Sequence, residues 1–398
     1  MKVTNKEFFF FFIIISVSFI FNYINYVLLS NLLSPKNFSI FYTVVVLSNI
    51  LITPCIVYNF HSTKMMINTS VLDKRIFIQQ NFTNLNFLSL IYFLILQLFY
   101  FIVNNYYNLN YILYFVVTLI VFLQCYIEYL RLILEIDKKI IKSSSYTFFF
   151  NLLKLIFCTG IAFFYLKVWI VALGFVFSQI LVILHYYYNN FLRLNFKNIN
   201  LKRHINREFF LFLIFFILMI SFVYLDIILS YFILVNDFDF VNYSSSNILP
   251  KSILMFLLPF IKAIYPNLHN KDYYDKTINI FFLIICFISF AILTCAYVSN
   301  FIIPSILRIK NVNQLLLLYS SWATFFGILC IFLILYNLAN RNYKKLSLGF
   351  SLSILFLFIP LINKNLSAYS YGVSFLKFYL SCFFIFLIIT VVKPYKKI

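Results

Sequence analysis

Long apolar runs alternate with short polar connections from one end of the chain to the other, and the pattern repeats twelve times. A helix needs about 20 mostly apolar residues to cross the hydrocarbon core, and only helices or closed barrels satisfy their backbone groups there. The runs are continuously apolar, without the period of two that barrel strands show, so they predict helices. The expected spans in the first half are Phe8–Leu29, Ser39–Phe60, Leu85–Val103, Tyr111–Leu130, Tyr146–Leu166 and Val168–Tyr188. The second half gives Phe209–Leu234, Ile248–Tyr265, Ile278–Val298, Gln314–Tyr336, Leu346–Ile362 and Tyr371–Val392.

Composition agrees with this reading. The 398 residues are 64% hydrophobic and 11% charged, against roughly 25% charged in soluble domains, which excludes a water-soluble globule. The net charge of +20 changes the picture only through its placement. Lys and Arg on the two termini and the even-numbered connections outnumber those on odd connections 22 to 5, with four more inside spans. By the positive-inside rule both termini of this multi-pass protein are expected to face the cytoplasm. Basic groups confined to juxtamembrane loops set orientation, and no nucleic-acid partner is expected. The first span follows Lys2 and Lys6 like a signal peptide, but it is too long and lacks a small-residue cleavage site, so it is expected to be retained.

The remaining chemistry is sparse. Seven cysteines, Cys55, Cys125, Cys158, Cys286, Cys295, Cys330 and Cys382, all fall within expected spans without paired spacing. They read as apolar packing residues, neither disulfides nor metal ligands. Four scattered His form no metal cluster, no cofactor is implied, and five Gly are too few for a phosphate-cradling loop. Energy for any transport must come from an ion gradient or a coupled reaction.

The chain also repeats itself. Leu28-Leu29-Ser30, with Phe38 and Tyr42 following, is echoed by Ile228-Leu229-Ser230, Phe238 and Tyr243, an offset of about half the chain. In each copy a helix ends near a turn, Ser34-Pro35-Lys36-Asn37 or Asn236-Asp237, and a proline follows in the next helix, Pro54 or Pro259. The expected organisation is an N-terminal six-helix lobe (1–188), a basic cytoplasmic linker (189–208) and a C-terminal six-helix lobe (209–398). Duplicated six-helix halves are a recurrent transporter plan.

These stretches carry a resemblance. The segment from Tyr26 through Leu28-Leu29-Ser30 and Ser34-Pro35 to Tyr42 resembles the opening signature of bacterial polysaccharide flippases, the Wzx-type O-antigen and capsule transporters of the multidrug/oligosaccharidyl-lipid/polysaccharide exporter superfamily. Leu225-Asp226 to Ser230, with Phe240-Val241-Asn242-Tyr243 and Ile264-Tyr265-Pro266, is similar to that family's seventh and eighth helices. Two positions depart from the pattern. The glycine usual before the tyrosine is Ser39 or Ile40 here, and the arginine that follows the aspartate is Ile227. The resemblance implies an all-α membrane fold similar to multidrug and toxic-compound extruders, with two lobes around a cavity that alternates its opening. It also implies a lipid-linked oligosaccharide as passenger, and a polysaccharide polymerase and glycosyltransferases as partners in the same pathway.

Charges inside spans are the candidate site. A charged residue near mid-membrane costs roughly 2.5–3.5 kcal/mol on insertion scales, so each needs a partner, a wet cavity or a route to the interface. Lys154 lies deep in the fifth span, facing a lumen, held in an internal pair or snorkelling to the interface. Lys251 and Lys262, eleven positions apart, share one face of the eighth span about 16 Å apart, and Lys377 lies in the twelfth; all three sit where snorkelling to the interface competes with a cavity role. Asp226 is a coupling or structural acid, and Glu128, three residues before Arg131, is placed for a local pair. Four lysines against two acids fit an anionic passenger, such as the pyrophosphate of an undecaprenyl-linked oligosaccharide repeat unit of O-antigen or capsule, better than a cationic drug. The competing readings are an ion-coupled small-molecule exporter and, from a different class, a membrane polysaccharide polymerase or ligase. The latter needs a long external loop, and none here exceeds about fifteen residues.

Overall fold

The computed structural model describes residues 5–59, 83–98, 100, 111–136, 140–190, 207–234, 236–264, 313–339, 342–362 and 367–391. They form helices α1 (Asn5–Leu32), α2 (Pro35–Leu51, continuing as one span to Asn59), α3 (Thr83–Leu98), α4 (Tyr111–Ile136), α5 (Ile140–Phe164) and α6 (Val168–Asn190). After these come α7 (Arg207–Ile233), α8 (Asp237–Ile264), α9 (Gln314–Ala339), α10 (Tyr343–Ile362) and α11 (Ala368–Val391). The described residues contain no strand. Seven helices are long and apolar enough to cross a membrane, and an eighth joins them if the bent pair Phe209–Ile220 and Tyr224–Tyr231 is one span. The expected ninth span, Ile278–Val298, with Cys286 and Cys295, lies outside the described residues.

The chain divides into two compact units, Met1–Ile217 and Leu218–Ile398. In the first, α1 packs along α5, α6 packs on both α4 and α5, and α2 packs on α4. In the second, α11 packs on α9 and α10, and α8 packs on α9 and α11. Outward faces are apolar: Phe87, Leu90, Leu94 and Leu98 run down α3, and Phe177, Leu181 and Leu184 down α6. Such stripes suit lipid, whereas in water they would form an adhesive patch.

Both predicted turns are helix starts. Ser34 accepts a hydrogen bond from Asn37 N and Pro35 opens α2, while Asn236 Oδ1 accepts from Phe238 N before α8. The repeat extends to single bonds. Ser30 Oγ donates to Val27 O at 2.7 Å, and Ser230 Oγ donates to Ile227 O at 2.7 Å.

Two expectations are corrected. The eighth span, expected from Ile248, begins at Asp237, because Tyr243-Ser244-Ser245-Ser246-Asn247 is helical and buried despite its polarity. Two of its side chains bond back to the preceding turn: Ser244 Oγ donates to Val241 O and Asn247 Nδ2 to Tyr243 O. Across the interface with α9, Asn313 N donates to Ser246 Oγ, and Ser320 Oγ donates to Ser246 O at 3.0 Å. A hydropathy scan scores such residues as loop, although a protein interior that answers most of their polar atoms accepts them; Ser245 Oγ and Asn247 Oδ1 are left without a hydrogen bond. The second correction concerns cysteine. Cys55 and Cys125 are joined by a disulfide that ties the end of the second span to α4, with Cα atoms 5.6 Å apart. Seventy residues separate them in sequence, so no local spacing announced the pair. Cys158, Cys330 and Cys382 are free and buried.

Candidate functional site

In the first unit the site is a polar seam between α1 and α5. Ser18, Asn22 and Asn25 recur at helical spacing on the face of α1 that meets α5, and all three are buried. Asn151 Nδ2 donates to Ser18 Oγ at 2.7 Å, and Ser18 Oγ donates to Thr147 O at 3.1 Å. One turn on, Lys154 Nζ donates to Asn22 Oδ1 at 2.8 Å. The ammonium also lies 4.6 Å from the centroid of the Phe175 ring and 5.2 Å from that of Tyr26. Lys154 is 3% exposed, and no carboxylate among the described residues pairs with it.

The neighbourhood is built to be tight. A Cβ on Gly174 of α6 would stand 2.8 Å from Cys158 N of α5, so glycine lets the two backbones touch one turn from Lys154. Asn25 is fully buried, and neither atom of its amide makes a hydrogen bond. Two ring faces and one amide oxygen stabilise a desolvated ammonium, each cation–π contact by about 2 kcal/mol at most. They leave its full positive charge in place.

The second unit is arranged differently. Lys251, expected near a span end and free to snorkel, sits mid-way along the 28-residue α8 and is fully buried. Its Nζ lies 3.1 Å from Asp226 Oδ1 and 5.2 Å from the Tyr379 ring centroid. Tyr243 OH donates to Asp226 Oδ2 at 3.1 Å, and Tyr379 OH donates to Oδ1 at 3.3 Å. Tyr371 OH donates to the backbone carbonyl of Asp226 at 2.6 Å, and its ring packs edge-on against Tyr243. Thus α7, α8 and α11 meet at one carboxylate, in a shell from which water is excluded.

The remaining candidates are scattered. Glu128 and Arg131 pair on α4 at 3.2 Å. Gln179 Nε2 of α6 donates to Gln124 Oε1, and Gln124 Nε2 to Glu128 Oε1, which extends that pair into a short polar chain. Lys377 is exposed on α11, on the stripe that continues through Phe384 and Ile388. The side chain of Lys262 lies outside the described residues. The structure therefore brings Asp226 and Lys251 together within the second unit, while Lys154 belongs to the first. Sequence reasoning missed the hydrogen-bond partners Asn22, Tyr371 and Tyr379, for which residue type alone carries no signal. Tyr243 was visible as a repeat position, but not as a ligand of Asp226.

No family model matches the chain, and no curated protein matches it by sequence. Solved structures do match. An outward-facing multidrug resistance MATE family transporter of the MOP superfamily aligns with TM-score 0.63 at 13% identity, covering 94% of each chain. A MATE structure in the straight conformation gives 0.58 at 14% identity, covering 95% of this chain and 93% of that one. A MOP superfamily transporter from Pyrococcus furiosus, described as having a binding pocket of reversed polarity suggesting a different function, gives 0.56 at 14% identity over 96% of this chain and 92% of that one. The fold is that of the MATE transporters.

Proposed function

We propose that the protein is a flippase that moves an undecaprenyl-pyrophosphate-linked oligosaccharide unit from the cytoplasmic to the periplasmic leaflet by alternating access. The observation that carries this reading is the charge balance inside the spans. Both acids within the expected spans are held by cations, Asp226 by Lys251 and Glu128 by Arg131. Lys154 keeps an uncompensated charge among the described residues, supported only by Asn22 and two rings. A buried ammonium with two donors to spare favours an anionic group over a cationic one. The sequence resemblance to polysaccharide flippases points the same way. In this role Lys154 holds a phosphate oxygen when the α1–α5 seam is open to the passenger, and no bond is made or broken.

The second reading is an ion-coupled exporter of small molecules. The similarity to multidrug transporters favours it, since a fold at this identity serves either passenger. Reconstituted vesicles separate the two. The flippase reading expects translocation of a labelled lipid-linked oligosaccharide, at least tenfold slower in Lys154→Met and partly restored in Lys154→Arg. Efflux of a cationic dye without lipid translocation would establish the exporter instead.

A further inference from the structure

We propose that the Asp226 pocket is a monovalent-cation site whose occupant is the protein's own, the Lys251 ammonium standing where a free sodium or potassium ion would otherwise sit. The surroundings suit a cation: one carboxylate, held by the Tyr243 and Tyr379 hydroxyls within 3.3 Å of it, and the ring face of the same Tyr379, 5.2 Å from the ammonium. Each phenol donates its single proton to the carboxylate, so the hydroxyls hold the carboxylate in place while Oδ1 faces the Lys251 ammonium at 3.1 Å. Asp226, Tyr243, Lys251, Tyr371 and Tyr379 are all within 2% of complete burial. A bare carboxylate in such a place is untenable, and the Lys251 ammonium at 3.1 Å supplies the compensating charge.

The repeat sharpens the point. Position 226 corresponds to position 26 in the first copy, where the side chain is tyrosine and the lysine that meets it comes from α5. Each lobe thus sets a buried lysine against the same position of its repeat, but only the second supplies a counter-charge. Because the amine is tethered to α8, its local concentration exceeds that of any dissolved ion, and sodium or potassium cannot displace it. The second lobe of the wild-type protein therefore needs no external alkali cation. This inference concerns occupancy of one pocket and stands whichever passenger the protein carries.

The test is unfolding of the purified full chain in detergent, in sodium, potassium or choline chloride at matched ionic strength. The wild-type midpoint should be the same in all three. Lys251→Ala should be destabilised in choline and recover several degrees, saturably, in sodium or potassium, because the ion refills the vacated position. The double variant Asp226→Asn/Lys251→Ala should lose that dependence. A Lys251→Ala midpoint indifferent to both alkali ions overturns the proposal. So does a wild-type protein stabilised by either ion in a manner that Asp226→Asn removes. If Lys251→Ala is too unstable to purify in choline, recovery in potassium or sodium supports the proposal. Failure in all three salts, with the double variant folding, overturns it.

Discussion

Removing the charge of Asp226 while keeping its shape is the sharpest test of how the second lobe is held. Asp226→Asn keeps an acceptor oxygen for one of the two tyrosine hydroxyls, which donate to different carboxylate oxygens, so the loss falls mainly on the ion pair, with one hydrogen bond altered. At 3.1 Å and an effective dielectric of about 20, the pair is worth about 5 kcal/mol of Coulomb energy. Most of that offsets the desolvation of two ions, so the pair contributes little net stability, whereas one partner left alone is costly. We expect Asp226→Asn to lose about 3–5 kcal/mol, and Lys251→Met a similar amount. The double variant should lie within about 1–2 kcal/mol of wild type, because no orphan charge remains. Reversible unfolding in mixed micelles, followed by near-UV circular dichroism, measures all four corners of the cycle. Additive losses in the double variant, or an Asp226→Asn cost below about 1 kcal/mol, would refute the buried pair.

Other consequences are equally direct. Gly174→Ala forces a Cβ to within 2.9 Å of backbone atoms of both Phe157 and Cys158 and should destabilise the first unit by about 1–3 kcal/mol in the same assay; Gly160→Ala, with nothing within 4 Å, should not. Reducing the Cys55–Cys125 bridge, which closes a loop of 70 residues, should lower stability by about 4 kcal/mol on the chain-entropy account. Maleimide labelling of the denatured chain before and after reduction checks that the bridge exists, and equal labelling would remove it. Tyr371→Phe deletes one hydrogen bond to the Asp226 carbonyl and should cost about 1 kcal/mol, less than any change to the carboxylate.

Much of the architecture was legible because hydropathy and bilayer thickness leave few solutions. Apart from the span that lies outside the described residues, each apolar run became a helix, and the doubled turn at Ser34 and Asn236 marked the repeat. The start of α8 was illegible for a physical reason. Ser244 to Asn247 look like a loop to any scale that weighs residues singly, and they are accommodated in a buried helix because α9 and their own preceding turn answer most of their polar atoms. Starting the span at Ile248 put Lys251 at its edge rather than mid-helix and concealed its meeting with Asp226, 25 residues earlier across a turn. The aromatic abundance hid the rest. Nothing in the sequence distinguishes Tyr371 and Tyr379, which serve the carboxylate, from tyrosines that anchor an interface.

The seam between α1 and α5 also sets a timetable. Asn22 and Lys154 are 132 residues apart, and at roughly 5–20 residues per second of synthesis the asparagine is made about 7–26 seconds before its lysine. Through that interval α1 waits in or beside the insertion machinery with Ser18 and Asn22 unanswered, a poor tenant for bare lipid. The first helix of this protein is consequently expected to take its final place late, when the fifth emerges to claim it, and a nascent chain halted before α5 should leave α1 open to crosslinking by the translocation channel.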